Sequence, residues 1–306
     1  MVESDGQKSS SYVMTPSNTA TADLQHQIWL KTLDGQLFTA PIECETTRAE
    51  TGRIYNVLDM GCGSGSWAFD LAVRYPHVRI LGVDITPPPS LPEHAKIRNV
   101  DFIRADMEQE WGFAGDRTFR YIHGRMLQSG IHDWPALLQK CWQHLAPGGW
   151  LELMDVEHPF RCDASVTGSE TPALPPFVRF GYAAEEAWKS NGLDYRATLN
   201  HKDRMLALGF ENISHRTVKW PLGAWGQGEE AGDSAGDMIL ANFSNFIAAA
   251  GTSILGSGRT GMDYVPMTKE AAQDLVDETR KDLTTDWKTR KYWLCMKIYV
   301  AQKPTK

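Results

Sequence analysis

The residues with the clearest chemical meaning form a glycine-rich segment, residues 59–65, with the sequence Asp-Met-Gly-Cys-Gly-Ser-Gly. An apolar run precedes it and a helix-like run follows it, so Gly61, Gly63 and Gly65 occupy a strand-to-helix turn. Glycine has no Cβ and tolerates positive φ, which lets the backbone of such a turn pass close to a ligand. The following helix adds free N–H groups and the positive end of its dipole. The segment therefore predicts a binding site after the first strand.

The glycine spacing separates this turn from the dinucleotide-binding fingerprint. That fingerprint has its third glycine three positions after the second, where this chain has Ser66. The acid two residues before the first glycine, Asp59, is also foreign to the fingerprint. An NAD-dependent oxidoreductase is therefore a poor interpretation of this chain.

Two more acids end predicted strands. Asp84, followed by Ile85, ends the second strand, and Asp106, followed by Met107, ends the third. Ligands of open α/β sheets bind at the carboxyl ends of the strands, so Asp84 can accept both ribose hydroxyl protons of an adenosine. Asp106 can bond the adenine amino group while Met107 packs on the ring. The alternative for each acid is a helix cap or a turn residue.

The elements that must position these residues alternate between strand and helix. Apolar runs predict seven strands, at residues 57–59, 78–84, 101–106, 119–123, 150–155, 212–219 and 293–300. A helix is predicted between the fourth and fifth strands. It begins at Asp133-Trp134-Pro135 and ends at residues 147–149. Short strands alternating with helices predict an α/β fold with a mostly parallel sheet and helices on both faces.

The remaining segments predict the domain organisation. Residues 1–20 are polar and rich in Ser and Thr, which indicates a flexible tail, and residues 21–306 form a single domain. A short helix is expected at residues 22–33 and a short strand at 36–42. Residues 160–208 and 221–268 are variable insertions on the acceptor side. Further helices are predicted at residues 177–190, 196–208, 238–249 and 268–283.

The bulk composition excludes several function classes. The net charge is −7 and no long Lys/Arg run occurs, so binding to nucleic acid through clustered phosphate contacts is disfavoured. The 5 cysteines are scattered and form no CxxC pair, which indicates reduced thiols in a cytoplasmic protein and no metal site. We expect no signal peptide and no membrane-spanning run.

Several segments together resemble the fungal LaeA-like family of class I S-adenosylmethionine (SAM) dependent methyltransferases. They are Asp23-Leu24-Gln25-His26 with Trp29, and residues 33–35, 40–42, 57–67, 82–84, 121–127, 133–135 and 147–152. The resemblance covers residues 12–158 well and is weaker beyond them. The chain departs from the family where Arg-Leu usually precedes Asp-x-Gln-His, because Thr21-Ala22 stands there.

The resemblance implies a class I methyltransferase fold, which is a Rossmann-like seven-stranded sheet with an N-terminal helical lid and a helical insertion. It also implies SAM as cofactor and S-adenosylhomocysteine (SAH) as product, and it makes a nuclear location an alternative to a cytoplasmic one. The cofactor-binding residues that it suggests, with Ile85 beside them, are Tyr12, Asp59, Gly61, Gly63, Gly65, Asp84, Asp106 and Met107. Tyr12 is expected to fold over the cofactor.

Polar residues after the fourth and fifth strands are candidates for acceptor binding and proton transfer. His123 and Arg125 can contact the methionine carboxylate or the acceptor, or can be a packed histidine and a surface arginine. His132 is a general base or a helix-start residue. Glu157 and His158 follow the fifth strand, where a histidine can take a proton from a hydroxyl or an amine. A turn residue is the alternative there.

These observations predict an O- or N-methyltransferase that acts on a hydrophobic small-molecule secondary metabolite. Aromatic residues are frequent in the variable region between residues 160 and 264, and they suit an apolar pocket. One alternative is a LaeA-like regulator that works through partner proteins. Another is a non-methylating cyclase or isomerase, because a fold does not fix a reaction.

Overall fold

Seven strands form one sheet in the computed structural model, which describes residues 16–43, 55–88, 97–162, 174–225, 235–258 and 264–306. The strands are β1 (Tyr55–Met60), β2 (Val78–Asp84), β3 (Val100–Arg104), β4 (Phe119–Arg125), β5 (Leu145–Arg161), β6 (Glu211–Pro221) and β7 (Trp293–Gln302). Their order is β3-β2-β1-β4-β5-β7-β6. β7 is antiparallel to both of its neighbours, whereas β1 to β5 pair in parallel. The predicted seven-stranded, mostly parallel sheet is confirmed.

Helices cover both faces of this sheet. They are α1 (Pro16–Thr32), α2 (Ser66–Arg74), α3 (Trp134–His144), α4 (Pro176–Ser190), α5 (Ala197–Ala207), α6 (Ala235–Gly256), α7 (Lys269–Thr285) and α8 (Trp287–Arg290). One apolar core takes buried side chains from α1, α2, α4, α6 and α7, and the other takes them from α3 and α5. The central strands are buried on both faces, which explains why β1 and β2 are nearly continuous apolar runs.

The structure corrects the expectations for the N-terminal region. α1 begins at Pro16, inside the segment expected to be a tail, and Tyr12 lies outside the described residues. Residues 36–42 are not a strand. The backbone N–H groups of Thr39 and Ala40 instead donate to the carboxylate of Glu152, at 2.9 and 3.0 Å.

The expectation that no apolar run is long enough to span a membrane was wrong. α6 meets that criterion by length and composition. In the fold it packs against α1, α4 and α7, and its residues Ile247 and Ile254 are buried. Ile239, Asn242, Phe243 and Phe246 of the same helix line the cavity described below.

Candidate active site

A cavity of about 870 Å³ opens at the carboxyl ends of the parallel strands, where α/β sheets bind ligands. We call its two parts the glycine half and the aromatic half. The glycine half, from β1 to β4 and the loops after them, contains Asp59, Gly61, Gly63, Ser66, Asp84, Ile85, Asp106, Met107, His123 and Arg125. The aromatic half, largely from β5 and the C-terminal elements, contains Gln128, Asp155, His158, Phe160, Trp188, Tyr195, Trp220, Ile239, Asn242, Phe243, Phe246 and Leu294.

The turn after β1 depends on glycine. Gly61, Gly63 and Gly65 have φ angles of 62, 55 and 79°, a left-handed region that L side chains rarely adopt. A Cβ at Gly61 would overlap the side chain of Leu127, and one at Gly65 would lie 2.8 Å from Cζ of Phe102. Gly65 is also the N-cap of α2. The turn thus brings bare backbone and the N-terminus of α2 together at the cavity.

Asp84 is held by this turn and faces the cavity. Its Oδ2 accepts a hydrogen bond from the backbone N–H of Gly63 at 2.9 Å, and its Oδ1 accepts one from Thr86 at 2.8 Å. Burial raises the pKa of this carboxyl, and the two N–H donors oppose that shift. Each oxygen keeps a second lone pair. The pair of oxygens can therefore accept two neighbouring hydroxyl groups.

Asp106 and Met107 line the cavity beside Asp84, as does Ile85. Oδ1 of Asp106 accepts from the backbone N–H of Glu108 at 2.8 Å, which fixes the carboxylate at the end of β3. The side chain of Met107 is buried. The structure therefore brings the predicted adenosine-binding residues together.

His123 joins β4 to β1 at the floor of the glycine half. Its Nδ1 lies 2.8 Å from Oδ1 of Asp59, and its ring stacks on Trp67 with centroids 3.9 Å apart. A carboxylate only accepts, so Nδ1 carries a proton, and in this tautomer of the neutral ring Nε2 would be an acceptor. Within the described residues Nε2 has no hydrogen-bond partner. A ligand group that donates, such as an amine, can satisfy it.

Arg125 connects the cavity to α1. Its Nη2 lies 3.2 Å from Nδ1 of His26, and Nε2 of His26 lies 2.9 Å from Oδ2 of Asp70 on α2. Burial lowers the pKa of Arg125 to about 10 and also lowers the pKa of His26. The neutral imidazole accepts from Arg125 and donates to Asp70. This chain of contacts positions α1 over the cavity.

His132 lies at the edge of the cavity and is held by Glu108. Its Nδ1 is 2.7 Å from Oε2 of Glu108, whose Oε1 accepts the backbone N–H groups of His132 and Asp133, both at 2.8 Å. Asp133 caps α3 by accepting from Ala136 at 2.9 Å. These contacts support the interpretation of His132 as a helix-start residue that also contributes to the wall.

The structure does not bring Glu157 to the candidate site, which corrects the expectation that it is catalytic. Its carboxylate pairs with Arg161 and lies 3.0 Å from Nζ of Lys297 on β7. Its neighbours Val156 and His158 line the cavity. Glu157 itself does not line the cavity, because its carboxylate is held by Arg161 and Lys297.

His158 is the predicted catalytic residue that the structure places on the aromatic half. Its ring lies 3.9 Å from Tyr195 and 4.6 Å from Phe160, measured between centroids. The side chain is buried, and both ring nitrogens lack a hydrogen-bond partner among the described residues. Burial lowers the pKa of His158 well below its usual value. The imidazole is therefore neutral, with one donor and one acceptor nitrogen.

Sequence reasoning missed Gln128 and Asp155, which lie side by side in the aromatic half. Oδ2 of Asp155 accepts the backbone N–H of Gln128 at 2.9 Å. Nε2 of Gln128 donates to the backbone carbonyl of Tyr195. Burial raises the pKa of Asp155 to about 7. The sequence did contain a signal for Asp155, which is a polar residue at the end of the predicted fifth strand, residues 150–155. It contained no such signal for Gln128.

Comparisons with known proteins decide the family. A family model described as a methyltransferase domain matches residues 25–215. The chain is 30% identical over 216 residues to the methyltransferase cpsF of Aspergillus campestris, covering 66% of this chain and 69% of that protein. It is 34% identical over 176 residues to the secondary metabolism regulator laeA of Aspergillus fumisynnematus, covering 56% and 44%. The chain belongs to the fungal LaeA-like methyltransferase family.

This LaeA-like methyltransferase is also similar to another fungal methyltransferase and, in fold, to a solved structure. It is 29% identical over 242 residues to the methyltransferase pytC of Aspergillus terreus, covering 76% of this chain and 68% of that one. Phosphoethanolamine N-methyltransferase 2 of Haemonchus contortus, solved with SAH, gives a TM-score of 0.46 at 16% identity and covers 94% of this chain and 58% of that chain. The chain spans less than half the length of the laeA regulator.

A LaeA-like methyltransferase uses SAM, and the residues of the glycine half fit that cofactor. The bare backbone of Gly61 and Gly63 lines the cavity, and Asp84 beside it offers two acceptors for ribose hydroxyls. Nε2 of His123, which has no hydrogen-bond partner in the part of the chain that the structure describes, can accept from an amino group when the ring is neutral. Within the described residues no group of three or more His, Cys, Asp and Glu side chains could hold a metal ion.

Proposed function

We propose that this protein transfers the methyl group of SAM to an oxygen or nitrogen atom of a hydrophobic small-molecule secondary metabolite. The observation that carries the proposal is the direct continuity of the two halves of one cavity. The glycine half has the polar groups that an adenosyl cofactor needs. The aromatic half has the apolar surface that a ring-containing acceptor needs.

Aromatic contacts shape the acceptor side. Trp188 stacks on Tyr195 with centroids 4.0 Å apart and planes 12° apart. Phe160 packs edge-on against Phe243 of α6 at 5.0 Å. These rings support one another, so they form a preformed wall against which a flat, apolar acceptor can pack.

In the proposed reaction, residues of the chain orient the two reactants and transfer a proton. When bound by the residues of the glycine half, SAM would supply an electrophilic methyl group on a sulfonium, which is a leaving group that departs with its own electron pair. As the acceptor atom forms its bond to carbon, its proton passes to a ring nitrogen of His158. Orientation of the two reactants contributes about 7–11 kcal/mol in favourable cases, and a general base contributes about 10²–10⁴-fold in rate.

A label-transfer assay tests this proposal. The protein is incubated with trideuteromethyl SAM and a panel of polycyclic phenols, indoles and amines, and the products are analysed by mass spectrometry. We expect at least one acceptor to gain a trideuteromethyl group in place of a hydrogen. Bound cofactor with no labelled product from any acceptor would contradict methyl transfer to this class.

The relatives named secondary metabolism regulators support a second candidate, a regulator that acts through partner proteins. The two candidate functions differ in whether partner proteins remain bound when the protein is purified from the cells that produce it naturally. A regulator would be recovered in a stable stoichiometric complex and would give no labelled small molecule. A tailoring enzyme would give the labelled product without any partner.

A further inference from the structure

The aromatic half contains an unused set of hydrogen-bonding atoms. Gln128 and His158 both line the cavity and are 2 and 3% exposed. Oε1 of Gln128 and both ring nitrogens of His158 have no hydrogen-bond partner among the described residues. Buried polar atoms are almost always paired in folded proteins, because leaving one unpaired costs free energy. A bound acceptor that pairs with these atoms would recover that cost.

The orientation of Gln128 decides what its free atom can do. Its amide nitrogen faces the carbonyl oxygen of Tyr195, which only accepts. The free atom is therefore the amide oxygen, and it can only accept a hydrogen bond. His158 is neutral, so its ring has one donor and one acceptor nitrogen. A hydroxyl or N–H group can donate to Gln128 or to His158, whereas a carboxylate cannot donate to either.

The charges of the residues that line the aromatic half also favour neutral acceptors. Within the described residues, no Lys or Arg lines the aromatic half. Arg104 and Arg125 line the glycine half, and Arg125 is hydrogen-bonded to His26. Asp155 adds a carboxyl group next to Gln128. Arg196 acts on His158 through its charge, but it is not among the residues that line the cavity, and its Nε lies 2.7 Å from Oε1 of Glu185. An anionic acceptor would lose its hydration here without contacting a Lys or Arg side chain of this half, and it would face an acid.

We propose that the cavity selects uncharged acceptors that carry a hydroxyl or N–H donor, which Gln128 and His158 bind, and that it excludes carboxylate and phosphate groups from the aromatic half. This selection rests on the proposed function, since it concerns the second substrate of the same site. Gln128 is a specificity-determining residue under this proposal. It acts on acceptor binding and not on cofactor binding.

Calorimetry on the SAH-loaded protein near neutral pH tests the selection. The probes are 2-naphthol, which is neutral with a donor, 2-naphthoate, which is an anion of similar shape, and 2-methoxynaphthalene, which lacks the donor. We expect wild type to bind 2-naphthol at least tenfold more tightly than either of the other probes. In Gln128→Met the advantage of 2-naphthol over 2-methoxynaphthalene should fall at least threefold. Gln143→Met, the same change on the exposed face of α3, should keep the wild-type ratio.

Several outcomes would overturn the proposal. One is binding of 2-naphthoate by wild type as tight as that of 2-naphthol, and another is an unchanged ratio in a Gln128→Met protein that still binds SAH. Failure of all three probes to bind the SAH-loaded wild type also contradicts it. If Gln128→Met no longer binds SAH because it is misfolded, the wild-type comparison alone decides. Failure of wild type to bind SAH would instead refute the proposed function.

Discussion

Asp59 and His123 are register partners on the adjacent parallel strands β1 and β4, and their side chains meet at 2.8 Å beneath the glycine turn. Both side chains are buried. Trp67 lies flat on the imidazole and donates from Nε1 to the carbonyl of Leu37 at 2.7 Å. The imidazole is thus fixed from two sides, and the ring lines the cavity with an Nε2 that no described residue pairs with.

Asp59→Asn tests whether this pair organises the cofactor site. An amide can donate to His123 as well as accept from it, so the imidazole can adopt the other tautomer and present an N–H to the cavity instead of an acceptor. We expect SAH affinity, measured by calorimetry, to fall about tenfold, which corresponds to about 1.4 kcal/mol.

The matched control for that variant is Asp101→Asn, because Asp101 is exposed on β3. It should bind SAH as wild type does. Equal affinities for Asp59→Asn and wild type would show that the Asp59–His123 pair has no part in cofactor binding.

Glu152 should be a major stabilising residue of the N-terminal region. Its fully buried carboxylate accepts from Tyr121 Oη at 2.7 Å and from the backbone N–H groups of Thr39 and Ala40. In Glu152→Gln, one carboxylate oxygen is replaced by an NH₂ group, which cannot accept hydrogen bonds from these donors. We expect the free energy of unfolding to fall by about 3 kcal/mol in urea titrations.

The exposed Glu211 on β6 provides the control for that loss. Glu211→Gln should change the free energy of unfolding by less than about 0.5 kcal/mol. A similar effect of both substitutions would mean that the carboxylate of Glu152 does not hold residues 36–42 in place.

The parts of the fold that depend on local pattern could be predicted from the sequence. The β2 prediction, residues 78–84, agrees with the structure at both ends because valine, isoleucine and leucine mark a buried strand. The sequence also placed the glycine turn after β1, Asp84 at the end of β2 and Asp106 just after β3, where the structure has them. Their positions follow from short segments in which chain order and spatial order coincide.

Features that depend on tertiary contacts could not be predicted. The apolar pattern of residues 36–42 suggested a strand, but Glu152 lies more than a hundred positions further along the chain and takes their N–H groups. Gln128 has no local signal, because only the fold brings it to Tyr195 and Asp155. The direction of Glu157 on β5 likewise depends on its pairing with Lys297 of β7.

Asp155 should make stability depend on pH in a defined window. Its pKa is about 7 in the folded protein and about 3.9 in an unfolded chain. The unfolded state loses the proton first as pH rises, so the buried carboxyl destabilises the fold progressively between about pH 4 and about pH 7. Asp155→Asn lacks this penalty at every pH.

Urea unfolding at several pH values measures that effect. The stability of Asp155→Asn relative to wild type should rise by at most about 1.4 kcal/mol per pH unit in this window and stay constant above about pH 7. A relative stability that is independent of pH would show that Asp155 titrates normally, whatever constant effect the amide has.

His158→Gln separates proton transfer from binding. The glutamine keeps hydrogen-bonding groups but is not a base, so with an acceptor found by label transfer we expect kcat to fall about 10²–10⁴-fold. SAH affinity should not change, because His158 lies outside the glycine half. His215→Gln, at an exposed position of β6, is the control. A wild-type kcat in His158→Gln would exclude His158 as the base.

The most direct test of the central claim, that the glycine half binds an adenosyl cofactor, is SAH calorimetry on Gly61→Ala and Gly115→Ala. Both glycines have positive φ, 62 and 52°, so both substitutions carry similar backbone strain. A Cβ at Gly61 meets Leu127 in the cavity wall, whereas one at Gly115 meets nothing within 4 Å. We predict one SAH per wild-type chain, at least tenfold weaker binding by Gly61→Ala, and wild-type affinity for Gly115→Ala. No binding by wild type, or equal binding by all three proteins, would contradict the account.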